Sequence, residues 1–231
     1  MMIACFIGFS ACDKEELSYM DGDLKVEIET GEHWLHDFPL FLGISTKNAP
    51  QFAIWMEDTG GNYLSTLFVT NRIATEGWRM NGGNRRIEAL PHWCHQRGVV
   101  YEDGNMLPSK EHPFTDGISG ATPKENLSVR LRLENFDYPL VIKAEFNHSV
   151  DFNDFFPENA REGDANYSGG KMGSGQPAIV YTGTLYPDCK ELELSEAGRS
   201  SSDGSDGYIY TDLEKLSTAK SIVERIRVSI Q

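Results

Sequence analysis

Residues 52–69 have the sequence FAIWMEDTGGNYLSTLFV, and this stretch decides the fold. Two apolar runs, 52–56 and 63–69, are rich in aromatic and β-branched residues and flank six residues of turn composition, 57–62. Such runs are typical of β-strands, and a glycine-rich polar turn between them is typical of a hairpin. The stretch therefore predicts two antiparallel strands joined by a short connection.

Other segments carry the two-residue period of half-buried strands. They are Leu24, Val26 and Ile28; Leu127, Val129, Leu131 and Leu133; Val141 to Phe146; and Ile226, Val228 and Ile230, with Ala178 to Leu185 as a further run. Helical signals are weak, and Asp212 to Lys220 is the best candidate for a short helix. We predict a mainly β fold, an antiparallel, immunoglobulin-like β-sandwich with long loops and little helix.

The chain has 231 residues and no long internal linker, so we expect one domain over residues 23–231. Three long polar segments interrupt the strands: Asn81 to Arg86, Glu102 to Asn126 and Ala160 to Gln176. Loops of this length are typical of binding segments or of disorder. The Ser-, Gly- and Asp-rich segment from Ser195 to Gly207 predicts a flexible linker.

The charge excludes one class of partner. The formal net charge is −14 and the isoelectric point is near 4.8. Binding to a nucleic-acid backbone requires clustered Lys and Arg. We therefore expect no nucleic-acid partner.

The N-terminus resembles a lipoprotein signal. An apolar run, Ile3 to Phe9, leads into Phe9-Ser10-Ala11-Cys12 and then into charged sequence. This resembles a bacterial lipobox and implies a truncated signal peptide over 1–11, lipidation at Cys12 and a linker over 12–22; the alternative is a buried strand. The following Asp13-Lys14-Glu15-Glu16 resembles an outer-membrane sorting signal. We expect an outer-membrane lipoprotein, periplasmic or surface-exposed, that contacts the membrane through its lipid alone.

Two cysteines, Cys94 and Cys189, remain in the folded part of such a protein. The cell envelope is an oxidising compartment, so they form one candidate disulfide. Its formation depends on their Cα atoms lying within bonding range.

The run DGISGATP, residues 116–123, carries the sharpest functional signal. It predicts an exposed, glycine-hinged turn, and Pro123 prevents a helix from continuing through Thr122. The run resembles the flavin-attachment pattern Asp-x-x-Ser/Thr-Gly-Ala-Thr/Ser at five positions: Asp116, Ser119, Gly120, Ala121 and Thr122.

The resemblance implies a cofactor and a modifying partner. In flavinylated electron-transfer subunits a Mg-dependent transferase moves FMN from FAD to such a threonine. Thr122 is then the candidate acceptor, and Asp116 positions the loop or the transferase's metal. The alternative is ordinary turn chemistry, with Asp116 capping a turn and Thr122 forming a local hydrogen bond.

Several segments together resemble one family. They are residues 51–58, 66–70, 90–93, 116–123, 145–149 with Asp151 and Asn153, and 175–177 with Tyr181. This combination is similar to the bacterial envelope proteins grouped as domain of unknown function 2271, from about Leu24 to the C-terminus. The resemblance implies a β-rich exported domain without a settled activity, encoded near membrane redox proteins and flavin transferases.

A polar cluster offers candidate metal ligands: Glu145, Asn147, His148, Asp151 and Asn153. Glu145 and Asn147 share one face of a predicted strand. Their oxygen donors suit calcium, and His148 suits a transition metal. The alternative is a polar sheet face that shapes the following turn.

A second candidate, His92-Trp93-Cys94-His95, places two histidines on one side of a helix. No second ligand pair has matching spacing, so we expect Trp93 in the core and exposed histidines.

We expect an accessory of extracytoplasmic redox or iron-linked systems that is not itself an enzyme and carries FMN on Thr122. Its expected partners are a flavin transferase or a membrane redox protein. The alternative is a cofactor-free module that binds a ligand or a protein, and a metal-dependent enzyme ranks third.

Overall fold

The computed structural model describes residues 15–17, 24–39, 44–78, 85–131 and 139–230. The strands are β1 (Glu15–Leu17), β2 (Leu24–Thr30), β3 (His36–Pro39), β4 (Ser45–Asn48), β5 (Gln51–Glu57), β6 (Tyr63–Thr70), β7 (Ile118–Gly120), β8 (Leu127–Leu131), β9 (Leu140–Asn147), β10 (Ile179–Leu185), β11 (Glu191–Glu193), β12 (Ser195–Arg199) and β13 (Val223–Ile230). The helices are α1 (Asn71–Ala74), α2 (Pro91–Arg97) and three 3-10 turns at Gly170–Met172, Leu213–Lys215 and Thr218–Ser221.

The hairpin predicted from residues 52–69 is confirmed, since β5 and β6 pair antiparallel. Asp58 closes the turn: its Oδ1 accepts hydrogen bonds from the backbone amides of Gly60 at 2.8 Å and Asn62 at 2.9 Å. Gly61 has a φ of 81°, a left-handed conformation that favours glycine. The side chain of Asp58 and the backbone of Gly61 thus define this turn.

Two sheets pack face to face, and the β5–β6 hairpin belongs to the larger one. The larger has the strand order β12-β10-β9-β5-β6-β7, and the other has the order β1-β8-β2-β13-β11. All neighbours in them are antiparallel except the β1–β8 and β6–β7 pairs. Strands make up 38% of the described residues and helices 11%, which confirms a mainly β fold.

Apolar side chains from both sheets fill the space between them. Phe52 lies at the centre, stacked between Phe68 at 5.2 Å and Phe146 at 4.9 Å between ring centroids. Trp34 packs against Phe52 and Phe146 at 6.2 Å. The opposite sheet contributes the predicted alternating residues of β2, β8 and β13 to the same cluster. This inter-sheet core is the main core of the sandwich.

The larger sheet is also covered on its outer face. Trp55 and Ala53 of β5 point into a second apolar cluster, together with Trp93 of α2 and Phe114 of the loop that follows α2. Every residue of β5 is therefore buried, whereas β2 alternates between buried and half-buried positions. A continuous apolar run with both faces covered is the pattern otherwise typical of parallel sheets.

The segment from Asp212 to Lys220 forms two 3-10 turns rather than one helix, so that prediction is wrong. The backbone amide of Ser217 donates to Gln176 Oε1 at 2.6 Å, and the hydroxyl of Thr218 donates to Asp151 Oδ1 at 2.6 Å. These bonds to the neighbouring loop interrupt the helical ladder while Leu216 remains buried.

The flexible linker predicted from Ser195 to Gly207 is also wrong. Its first part is β12, which pairs with β10. Beyond it, the Ser200 amide donates to the Ala178 carbonyl at 2.9 Å, and Ser200, Ser201 and Ser202 are buried. The serines lie against the sheet and order the segment.

Several predictions concern residues outside the described ranges. They are the signal peptide over 1–11, lipidation at Cys12, most of the linker over 12–22, Leu133 of the predicted strand, and residues 81–84 of the first polar segment. Within the described ranges, no helix combines the length and apolar character needed to cross a membrane.

Replacing Phe52 by Ala should lower the free energy of unfolding by about 3–5 kcal/mol, because it leaves a cavity between two stacked rings. Leu64→Ala is the matched control, since Leu64 is exposed at the rim of the hairpin. Urea denaturation of both variants measures the effect. Equal losses in the two variants would contradict this location of the core.

Candidate functional site

The motif at 116–123 includes an edge strand. Ile118, Ser119 and Gly120 form β7 and pair parallel with β6, with Gly120 opposite Thr70. The prediction of a turn is therefore wrong for Ile118 to Gly120. These three residues instead form an edge strand of the larger sheet. Ala121 and Thr122 follow directly after this strand.

Gly117 is required for close packing. A Cβ at this position would lie 2.5 Å from the Thr66 carbonyl oxygen and 3.1 Å from the Phe114 ring. Neither Gly117 nor Gly120 has a positive φ. The expected glycine hinge is thus corrected: Gly117 lets the chain approach β6, and no unusual backbone angle is involved.

The acceptor candidate lies between two fixed points. Gly120 is held by the β6 pairing, and the buried Pro123 accepts a hydrogen bond from Trp34 Nε1 at 3.0 Å. Between them Ala121 is exposed and Thr122 is half-buried. The Thr122 side chain is therefore presented by a short, anchored segment.

The polar groups of the motif remain open to solvent. Asp116 and Ser119 are exposed, and Asp116 accepts a bond only from the Thr115 hydroxyl, at 3.1 Å, among the described residues. Within the same part of the chain, no residue forms a hydrogen bond with the Thr122 hydroxyl. Ordinary turn chemistry, the alternative to flavin attachment, requires a turn capped by Asp116 and a local hydrogen bond from Thr122. Neither bond is found among the described residues.

Thr122 lines an open cleft of about 260 Å³ at one end of the larger sheet. The lining residues come from β4, β5, α1 and the segment after β7: Lys47, Asn48, Ala49, Gln51, Asn71, Arg72, Ala121, Thr122 and Lys124. Of these described lining residues three are cations and none is acidic, although the chain as a whole has a net charge of −14. The cleft is therefore suited to an anionic group.

Two of these side chains have further contacts. Arg72 Nη1 donates to Asn48 Oδ1 at 3.3 Å, and Lys47 forms an exposed ion pair with Asp37 at 2.9 Å. Gln51 differs, because it is 4% exposed and its Oε1 is buried without a partner within the described residues. An unpaired buried acceptor costs about 1–3 kcal/mol. Such an oxygen favours a ligand that donates a hydrogen bond.

The predicted metal ligand Glu145 is fully buried and serves α2 instead. Its carboxylate accepts hydrogen bonds from the backbone amides of His92 at 3.2 Å and Trp93 at 2.8 Å. Burial raises the pKa of Glu145 to about 7 against the lowering effect of these bonds. Glu145 and Asn147 do share the outer face of β9, as predicted, but that face is covered.

Each of the other four candidate ligands bonds to a different neighbouring group. Asn147 bonds to the Gln176 carbonyl and the Ser174 hydroxyl, His148 bonds to the His33 carbonyl, Asp151 accepts from Thr218, and Asn153 donates to the Lys215 carbonyl. Among the described residues, no group of three or more His, Cys, Asp and Glu side chains converges on a metal position. The five residues do not form the single site predicted from their strand spacing.

The candidate disulfide between Cys94 and Cys189 is absent, and both thiols are free. Cys94 belongs to the outer cluster, whereas Cys189 packs against the inter-sheet core. The two cysteines therefore lie on different sides of the larger sheet. Burial raises the pKa of the Cys94 thiol far above its usual range, so this thiol stays protonated.

The segment His92-Trp93-Cys94-His95 lies in α2, and Trp93 is buried as predicted. His92 is buried rather than exposed: its Nδ1 is 2.7 Å from the Gly207 carbonyl, and its Nε2 is 3.1 Å from Lys143 Nζ. These distances fit a neutral ring that donates at Nδ1 and accepts at Nε2. Burial lowers the pKa of His92 to about 4.

No protein-family model matches the chain, and neither the curated proteins nor the solved structures give a match. The resemblance stated from the sequence therefore stays a prediction.

The stability contribution of Glu145 should depend on pH in a defined direction. The pKa of Glu145 rises from 4.5 in the unfolded chain to about 7 in the folded protein. Between pH 4.5 and pH 7, the folded protein therefore keeps a proton on Glu145 that the unfolded chain has lost. The free energy of unfolding should thus fall as pH rises from 4.5 to 7, by at most about 3 kcal/mol.

Glu145→Gln removes this titration, and Glu196→Gln, at an exposed position, is the control. Urea unfolding at several pH values gives the difference between wild type and each variant. The difference should change across the window for Glu145→Gln and stay flat for Glu196→Gln. A flat difference for both would show that Glu145 is not a buried carboxyl.

Proposed function

We propose that this protein carries FMN covalently attached to the hydroxyl of Thr122. One observation carries the proposal: Thr122 has a hydroxyl without a partner in the described chain and lines a cleft with three cations and no carboxylate. The attachment pattern from Asp116 to Thr122 supports the same assignment. Both the cleft and the motif therefore support covalent attachment at Thr122.

The attachment is a phosphoryl transfer from FAD. The Thr122 oxygen attacks the phosphorus of the FMN half, the pyrophosphate bond breaks, and AMP leaves. The hydroxyl proton passes to a base of the transferase. Because Ser119 and Ala121 are small and exposed, a second protein's active site can approach Thr122 without displacing bulky side chains.

The cleft suits the phosphate and the sugar-alcohol chain of the product. A phosphodiester keeps one negative charge, which Lys47, Arg72 and Lys124 complement. Gln51 lines the cleft, and its unpaired Oε1 would be the acceptor for a ribityl hydroxyl. These side chains would hold the non-reacting end of the cofactor against the sheet.

The cleft is too small to enclose the flavin ring. Its volume of about 260 Å³ lies below the roughly 300–1,000 Å³ of pockets that bury a whole ligand. The ring would therefore project from the protein. Attached FMN supplies electron transfer, and a projecting ring is available to a partner.

This arrangement supports an accessory role in an extracytoplasmic redox or iron-linked system. The lipid on Cys12 would keep the domain at the membrane, where a membrane redox protein exchanges electrons with the ring. No residue of the chain itself is assigned a catalytic role in this proposal. Localisation to the bacterial envelope is part of the proposal.

A second candidate function is a cofactor-free module that binds a small phosphate-bearing ligand or a partner protein. Among the described residues that line the Thr122 cleft, none is aromatic, so none of them offers a stacking surface for a flavin ring. A small anion needs no such surface. This observation favours reversible binding as the alternative.

Coexpression with a flavin transferase tests the carrier. The purified chain should gain the mass of one FMN less one water and should fluoresce in a denaturing gel. Thr122→Val should abolish both signals, whereas Thr122→Ser should keep them because a serine hydroxyl performs the same attack. Thr59→Val is the matched control, since Thr59 is an exposed threonine outside both the motif and the cleft.

An unshifted wild-type mass would overturn the carrier proposal, and so would a label that persists in Thr122→Val. Phosphate binding by an unlabelled chain, measured by calorimetry, would then favour the reversible module.

Charge reversal in the cleft should slow the labelling. The Lys47→Glu/Lys124→Glu double variant should reduce the labelling rate roughly twofold to thirtyfold, because exposed charges contribute about 0.2–1 kcal/mol each. Lys220→Glu is the control, as Lys220 is exposed and lies outside the cleft. Rates come from single-turnover labelling followed by fluorescence. An unchanged rate in the double variant would contradict the role of the cations.

A further inference from the structure

We propose that a second cleft, which shares no lining residue with the Thr122 cleft, binds a neutral saccharide. Its volume is about 490 Å³, within the roughly 300–1,000 Å³ typical of small-molecule sites. The loop after β9, the segment after β12 and the 3-10 turn at Leu213–Lys215 line it: Phe155, Gly163, Asp164, Ala165, Arg199, Ser201, Ser202, Asp203, Ser205, Asp206, Tyr210, Asp212 and Lys215.

Arg199 forms a rigid floor. It is 8% exposed and donates to both carboxylate oxygens of Asp212, from Nε at 2.7 Å and from Nη2 at 2.8 Å. Its Nη1 donates to the Ser200 carbonyl at 3.1 Å, and its guanidinium lies 4.7 Å from the centroid of the Tyr210 ring. Because these contacts already fix the Arg199 side chain, binding of a ligand would cost little side-chain conformational entropy.

Two carboxylates are also held in place before any ligand binds. Asp203 Oδ1 accepts bonds from the Ser201 hydroxyl at 2.7 Å and the Ser205 amide at 3.0 Å. Asp206 accepts from the Tyr210 hydroxyl at 2.8 Å. A carboxylate has about four acceptor positions, so both retain capacity for hydroxyl groups.

Ser202 provides an independent sign of a ligand. It is 8% exposed and lines the cleft, yet no residue in the described part of the chain forms a hydrogen bond with its hydroxyl. Buried hydroxyls are normally paired. This one is placed to bond with a group inside the cleft.

Two aromatic rings give the cleft an apolar surface. Phe155 is 39% exposed and Tyr210 is 36% exposed. Lys215 Nζ lies 4.7 Å from the centroid of the Phe155 ring. The Arg199 guanidinium lies at the same distance, 4.7 Å, from the centroid of the Tyr210 ring. The cations hold the rings in position, and exposed rings pack against the C–H face of a sugar ring.

The composition of the lining excludes other ligand classes. Among the described lining residues four aspartates accompany two cations, which disfavours anions such as phosphates or acidic sugars. Among the described residues, no acidic or histidine group converges to hold a metal ion. An apolar ligand would meet mostly hydroxyl and carboxylate groups. A neutral ring with many hydroxyls and an apolar face matches both parts of the surface.

A glycan array probed with the full chain tests this inference, followed by calorimetry with the best neutral oligosaccharide. We expect binding that Tyr210→Ala and Asp206→Asn each weaken at least tenfold, because each removes a direct contact. Tyr186→Ala is the control, since Tyr186 is exposed outside the cleft and its loss should change nothing. Thermal unfolding verifies that the variants are folded.

Thr122→Val should bind the oligosaccharide with unchanged affinity, which separates this test from that of the flavin proposal. Array signals no higher than those of the Phe155→Ala/Tyr210→Ala double variant would overturn the inference. Preferential binding of sialylated or uronic-acid glycans would also overturn it.

Discussion

The burial of both faces of β5 is the constraint on which the rest of the structure depends. Phe52 on one face closes the inter-sheet core, and Trp55 on the other face anchors the outer layer. The indole of Trp55 donates to Glu57 at 2.7 Å, and Glu57 pairs with Lys143 at 2.9 Å, so polar groups at this end of the strand are also satisfied. Because this strand cannot shift, the neighbouring β6 holds a fixed edge, and the motif strand β7 adds to that edge. The position of Thr122 follows from that chain of packing.

Much of the sheet structure was predictable because it depends on local patterns. The two-residue period of Leu24, Val26 and Ile28 corresponds to a strand with one face in the core, and the turn residues around Asp58 correspond to a hairpin. The outer layer was not predictable in the same way. The helix α2 has seven residues, too few for a clear helical period, and its place is fixed by bonds from its first amides to the distant Glu145. Those hydrogen bonds join segments about fifty residues apart in the chain. The local sequence pattern of neither segment predicts them.

The candidate site shows the same division. The run that contains Asp116 and Thr122 could be recognised from the sequence, and the structure places both at an accessible edge. Its partners Lys47, Gln51 and Arg72 are distant in the chain and reach the cleft only through the folding of β4, β5 and α1. The metal prediction placed Glu145 and Asn147 correctly on one face of β9. It was wrong about the surroundings of that face, because a two-residue period does not show whether another layer covers it. A sandwich with two clefts of opposite charge is therefore a result of tertiary structure.

The most direct test of the central claim is to locate the modification after coexpression with a flavin transferase. Trypsin should release the peptide 111–124, which contains three hydroxyl residues, Thr115, Ser119 and Thr122. Fragmentation of this peptide by mass spectrometry identifies the residue that carries the added mass. The account predicts FMN, less one water, on Thr122 alone. An unmodified peptide, or the added mass on Thr115 or Ser119, would contradict it.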